Sequence, residues 1–150
     1  MDLTSRIILP YQKVSTLVNL YLQPVALLMA RVYVGWVFFA AGLTKIKEWD
    51  TTLFLFEEEY QVPFINFELA AYLGTAGELI LPIILVLGIA SRIGALGLSM
   101  VNIVAVISLE EIAPAALTSH FIWGVLLIQL VVFGAGKVSI DSFIKSKIKA

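Results

Sequence analysis

Apolar residues gather in four long runs, at residues 24–43, 67–88, 93–109 and 119–135. Each approaches the roughly 20 residues that a helix needs to cross a bilayer, and the last two sit near the short limit. Pro24 suits the first turn of a helix. Ahead of these runs, residues 11–23 place Val14, Leu17, Val18, Tyr21 and Leu22 at helical spacing. That pattern predicts an amphipathic helix lying in the membrane interface. Between the first two runs, residues 49–60 predict a second short amphipathic helix on the outer face, stopped before Pro63. Trp49, Phe54, Phe56, Tyr60 and Phe64 suit an interfacial belt there. The expected fold is all-α: a membrane-embedded four-helix bundle with an N-terminal interfacial helix and a short amphipathic helix in the first outer loop. One domain is expected over residues 1–150.

Composition supports this reading. The chain is 60% hydrophobic and 14% charged, with a mean hydropathy of +0.96. A soluble domain of 150 residues has too little interior to hide that much apolar surface. The net charge of −1 argues against nucleic acid as a partner. Cysteine is absent, which excludes disulfide exchange, persulfide carriage and thiolate metal sites. A single histidine excludes bis-histidine haem. A polar segment precedes the first apolar run with no small-residue cleavage site after it, so no secretory signal is expected.

Charge alternates between the connecting segments. Arg6, Lys13, Arg92, Lys137, Lys145, Lys147 and Lys149 share one side of the predicted topology. The other side holds Lys45 and Lys47, together with Glu48, Asp50, Glu57, Glu58, Glu59, Glu68, Glu110 and Glu111. The lysine and arginine bias places both termini in the cytoplasm, and an even number of spans agrees.

Polar groups inside the runs mark candidate chemistry. A carboxyl in the middle of a span is costly unless it is paired, protonated or beside water, and Glu78 holds that position. In the first run Arg31, Gly35, Phe38, Gly42 and Lys45 form one helical stripe whose small residues permit close helix approach. Depth counting pairs Arg31 with Glu78, with Asn102 nearby, as an inner polar cluster. Lys45 and His120, with Asp50 or Glu48, form an outer layer. The structural alternatives are a register-fixing clasp for Arg31–Glu78, an interfacial role for His120, interhelical hydrogen bonding for Asn102, and packing for Trp36 and Trp123. No metal site is expected.

The ordered motifs resemble the DoxX family of small membrane proteins. Arg31-(x)3-Gly35 followed by Phe38-Phe39-Ala-Ala-Gly42-Leu-Thr-Lys45 is similar to the family's first helix. Glu78-Leu-Ile-Leu-Pro leading to Gly88-Ile-Ala-Ser-Arg92 resembles its glutamate helix and turn. Gly134-Ala-Gly-Lys-Val-Ser139-Ile-Asp141 resembles its closing signature, with Ala135 where proline is usual. The resemblance spans roughly residues 25 to 143 and carries over the motif positions Arg31, Gly35, Gly42, Lys45, Glu78, Gly88, Arg92 and Asp141. Residues 49–56 and 59–63 look like a branch often encoded beside metal-responsive modified peptides. The resemblance implies a multi-pass protein of the bacterial inner membrane, associated with quinol oxidase or sulfur-handling redox enzymes.

Three functions follow. The first is an accessory or partner-binding component of a redox or metal-stress system, embedded in the bilayer, with the acidic outer loop to dock a protein partner, or as a homo-oligomer, and with a quinone or other small apolar ligand near Glu78. The second is a quinone-linked oxidoreductase subunit; no cofactor is evident in the residues, and quinone is the candidate. The third is a small-solute or proton carrier. Scarce catalytic equipment favours the first over a self-sufficient enzyme.

Overall fold

The computed structural model describes residues 3–148; Lys149 lies outside them, as does the side chain of Arg6. The chain is helical throughout: α1 (Leu3–Leu17), α2 (Gln23–Lys47), α3 (Trp49–Glu58), α4 (Phe67–Leu87), α5 (Ser91–Ile107), α6 (Pro114–Phe133) and α7 (Ile140–Ile148). Helices therefore occupy all four apolar runs. Three helices are long and apolar enough to cross a membrane, and α5 is a shorter apolar helix. Among the described residues, α2 packs on α4, α4 on α5, α5 on α6 and α6 on α2. Leu27, Val34, Phe38, Leu85, Leu98, Leu127 and Leu130 form the core between them. The opposite faces carry exposed apolar side chains such as Tyr33, Ile80, Ile93 and Phe121. This inside-out pattern suits a surface that meets lipid.

Pro24 stands in the first turn of α2, as expected, but the helix before it runs straight into α2. A five-residue π segment, Val18–Leu22, joins α1 to α2 without a break, and Gln23 N–H reaches back to the Val18 carbonyl. Proline has no N–H to complete the α-helical ladder, and the wider π turn absorbs the lost bond. α1, the π segment and α2 are 15, 5 and 25 residues long, so the continuous helix from Leu3 to Lys47 has 45 residues. At 1.5 Å per residue it measures about 67 Å, so less than half of it fits within a hydrocarbon core of about 30 Å.

The predicted outer-loop helix is present as α3. It packs against α4, with Phe56 buried beside Ala70 and Ala71 and with Trp49, Leu53 and Tyr60 around them. Its chain continues as a strap, residues 59–66, across the end of α5. Gln61 N–H donates to the Ser108 carbonyl at 2.8 Å, and the Gln61 amide donates to Glu110 at 2.7 Å.

Glycine sets the register of α2 against α4. A Cβ on Gly35 would lie 2.6 Å from Val86, and one on Gly42 would lie 2.9 Å from Leu79 and 3.1 Å from the Glu78 Cβ. The two backbones close to a distance that only glycine permits. The helices run antiparallel, so each step up α2 is a step down α4.

Candidate functional site

That register separates the charged residues into two ends. Lys45 lies one turn beyond Gly42 and therefore faces Glu78. Its ammonium donates to both carboxylate oxygens, at 2.7 and 2.6 Å. The Lys45 side chain is 22% exposed and that of Glu78 is 10%. Arg31 lies about 21 Å from Lys45 along α2 and reaches the far end of α4 instead. It donates to the Val86 carbonyl at 3.1 Å and to the Val138 carbonyl. The expected Arg31–Glu78 pair is therefore replaced by Lys45–Glu78. Depth counting paired Arg31 with Glu78, whereas the packed helices set Gly35 against Val86 and Gly42 against Leu79, which carries Arg31 past the end of α4.

The Arg31 end is closed. Arg31 has no accessible surface. Its guanidinium caps the C-terminus of α4, where the helix dipole favours a cation. Gly88 ends α4 in the left-handed region at φ +70. A Cβ there would sit 2.5 Å from the Ser139 Cβ and 2.6 Å from Arg31 Nη1. Asp141, from the start of α7, accepts from Ala90 N–H at 3.1 Å and Ser91 N–H at 3.4 Å. It caps α5 from a distant part of the chain, because Ala90 provides no side-chain cap. Arg92 donates to the Val132 carbonyl at 3.2 Å near the end of α6. The motif residues Arg31, Gly88, Arg92 and Asp141 thus tie helix ends together.

The Glu78 end is open. A cavity of about 690 Å³ lies between α2, α4, α5 and α6, under α3 and the 59–66 strap. Lys45 and Glu78 sit on its wall, with Phe38, Phe56, Tyr60, Phe64, Trp123 and His120. Most of the remaining lining is aliphatic, including Val37, Leu73, Met100, Val101 and Val104. Val62, Pro63, Phe64 and Ile65 of the strap line it too, and Phe64 is fully exposed and holds a positive φ of 71. Pro82, inside α4, has no N–H to offer the Glu78 carbonyl one turn earlier. Tyr60 lies outside the apolar runs. Burial, then the charges of Glu59 and Glu78, push its hydroxyl above the usual tyrosine range.

Asn102 joins His120 rather than Glu78. Its amide donates to the His120 carbonyl at 3.0 Å, and its Oδ1 lies 2.8 Å from His120 Nδ1. With the amide nitrogen committed as donor, Oδ1 accepts, so the proton of a neutral ring sits on Nδ1 and leaves Nε2 as an acceptor. The ring stands edge-on to Trp123, with centroids 4.9 Å apart. Asp50 is exposed in the first turn of α3 and forms no ion pair among the described residues. The outer layer therefore consists of Lys45 and His120, joined by Glu78 and Asn102 and without Asp50. Phe56, Tyr60 and Phe64 were legible only as interface residues, since nothing local to 49–66 shows that the strap folds over α5. Among the described residues no group of three or more histidine or acidic side chains is placed to hold a metal ion.

One closed end, one ligand-sized cavity and lipid-facing apolar helices define a small helical membrane protein whose buried charges are sorted between structure and cavity. The DoxX family model matches residues 26–111, more than half of the chain. The chain belongs to the DoxX family. An uncharacterized protein of Haemophilus influenzae is 31% identical over 130 residues, covering 81% of this chain and 84% of the relative. No solved structure matches.

Proposed function

We propose that this protein is a membrane-embedded four-helix bundle that binds a small, largely apolar ligand at the Lys45–Glu78 pair. The observation that carries the reading is an ion pair on the wall of an otherwise apolar cavity of about 690 Å³. Ligand sites combine an apolar lining with a few convergent polar groups in this way. A structural clasp alone has no use for the empty volume beside it. Residues 1–150 act as one domain in the bacterial inner membrane. Both termini are cytoplasmic, following the lysine and arginine bias. The amphipathic spacing of residues 11–23 assigns the α1 segment to the interface, with the π segment as the place where the helix bends into the bilayer.

The protein serves as an accessory, partner-binding component of a redox or metal-stress system; this setting rests on the family resemblance. A quinone is a second candidate ligand. Lys45 is a donor for a ring carbonyl, and electrons would come from a partner.

The test uses N-phenyl-1-naphthylamine, a neutral apolar fluorophore, with protein in lipid nanodiscs and empty discs subtracted. Saturable binding is expected, and Val104→Trp, which fills the cavity from α5, should remove it. Equal signal from wild type, the variant and empty discs would refute the reading.

A further inference from the structure

We infer that the ligand taken by this cavity is a lipophilic cation, an apolar or aromatic body bearing one positive charge. The inference rests on the reading of the cavity as a ligand site and adds the sign of the charge.

The two ends of the molecule differ in charge. At the strap end of the cavity, Glu59 precedes the lining residue Tyr60, and Glu110 follows the lining residue Leu109 and accepts from Gln61. Glu57, Glu58 and Glu111 are exposed beside them. Against these carboxylates stand Lys45 and Lys47. A low-dielectric opening ringed by one sign of charge focuses its field and raises the local concentration of the opposite ion. An anion meets repulsion before it reaches Lys45.

Inside, acceptors and ring faces dominate. Glu78 offers a carboxylate, the His120 side chain is part of the lining, and five aromatic rings line the wall. Ring faces attract cations, most strongly where water is excluded. The Lys45 ammonium holds the place the ligand charge would take. It sits on a flexible four-carbon stem in the last turn of α2 and is partly exposed, so an entering cation can displace it toward the acidic mouth. Lys45 acts as a tethered competitor that keeps Glu78 neutralised while the cavity is empty.

Tetraphenylphosphonium and tetraphenylborate share one shape and differ in the sign of charge. Each radiolabelled ion is titrated into nanodiscs of zwitterionic lipid holding the full chain, with empty discs subtracted. Saturable phosphonium binding is expected to be at least about tenfold tighter than borate binding, the scale of one desolvated charge or cation–π contact. Glu78→Gln should weaken phosphonium binding at least as much, and by a larger factor than it changes N-phenyl-1-naphthylamine binding. Lys45→Met should strengthen it. Should Glu78→Gln fail to fold, the surface variant Glu59→Gln/Glu110→Gln should weaken phosphonium binding and flatten its salt dependence without changing the neutral probe. Borate binding that equals or exceeds phosphonium binding overturns the inference but leaves the apolar-ligand reading standing. So does menaquinone that displaces the neutral probe when phosphonium does not. Loss of the neutral probe together with both ions removes the two readings at once.

Discussion

A double-mutant cycle across Glu78 tests the register that organises both ends of this protein. Lys45 holds both Glu78 oxygens, at 2.6 and 2.7 Å, and the two side chains are 22% and 10% exposed. Removing one member of a buried pair strands the other charge and costs about 3–5 kcal/mol, whereas replacing both with apolar residues is often close to neutral. The cavity gives Lys45 partial access to water, so Lys45→Met and Glu78→Met should each cost about 2–3 kcal/mol, below the fully buried range. The double variant should lie near wild type, a coupling of about 2 kcal/mol or more. Arg31 donates to Val86, two turns beyond Glu78 and about 12 Å along α4. Arg31→Met and Glu78→Met should therefore add within about 0.5 kcal/mol. Unfolding in mixed micelles by titration with dodecyl sulfate, read from the three tryptophans, gives all the free energies needed. A coupling between Arg31 and Glu78 larger than that between Lys45 and Glu78 would refute the antiparallel register and everything built on it.

Other outcomes follow from the closed end and the strap. Gly88→Ala should cost about 1–2 kcal/mol from its left-handed backbone alone, and more from the Cβ meeting Ser139 and Arg31; micelle unfolding reads the loss. Asp141→Ala should cost about 1–2 kcal/mol by uncapping α5, and hydrogen exchange at Ala90 and Ser91 should accelerate while the cavity still binds the neutral probe. Tyr60 should ionise above its ordinary value of about 10, seen as the last phase of an ultraviolet titration that Tyr60→Phe deletes and Glu59→Gln moves to lower pH. Its raised folded-state value means that the folded state holds the proton more tightly. That contribution to stability is complete below about pH 10 and is lost as pH rises through the folded-state value.

Local physics made much of this protein readable in advance. Apolar runs of bilayer length must be helical, because backbone groups in lipid find partners within their own segment, and all four runs are helical. The outer-loop helix followed from its own periodicity and from Pro63. Gly35 and Gly42 were legible as points of close approach, and they are. Glu78 was legible as a group that needs a partner. Which partner it takes is a question of vertical register, and no single run contains that information. Depth counting paired Arg31 with Glu78. The glycine contacts instead set Gly35 against Val86 and Gly42 against Leu79. That register gives Lys45 to Glu78 and sends Arg31 to cap α4. Asp141 shows the same division: its place in a motif was plain, but its use as a cap for α5 needed 50 residues of chain to fold back. Spans are set by hydrophobicity, which each segment carries alone. Pairings are set by packing, which exists only between segments.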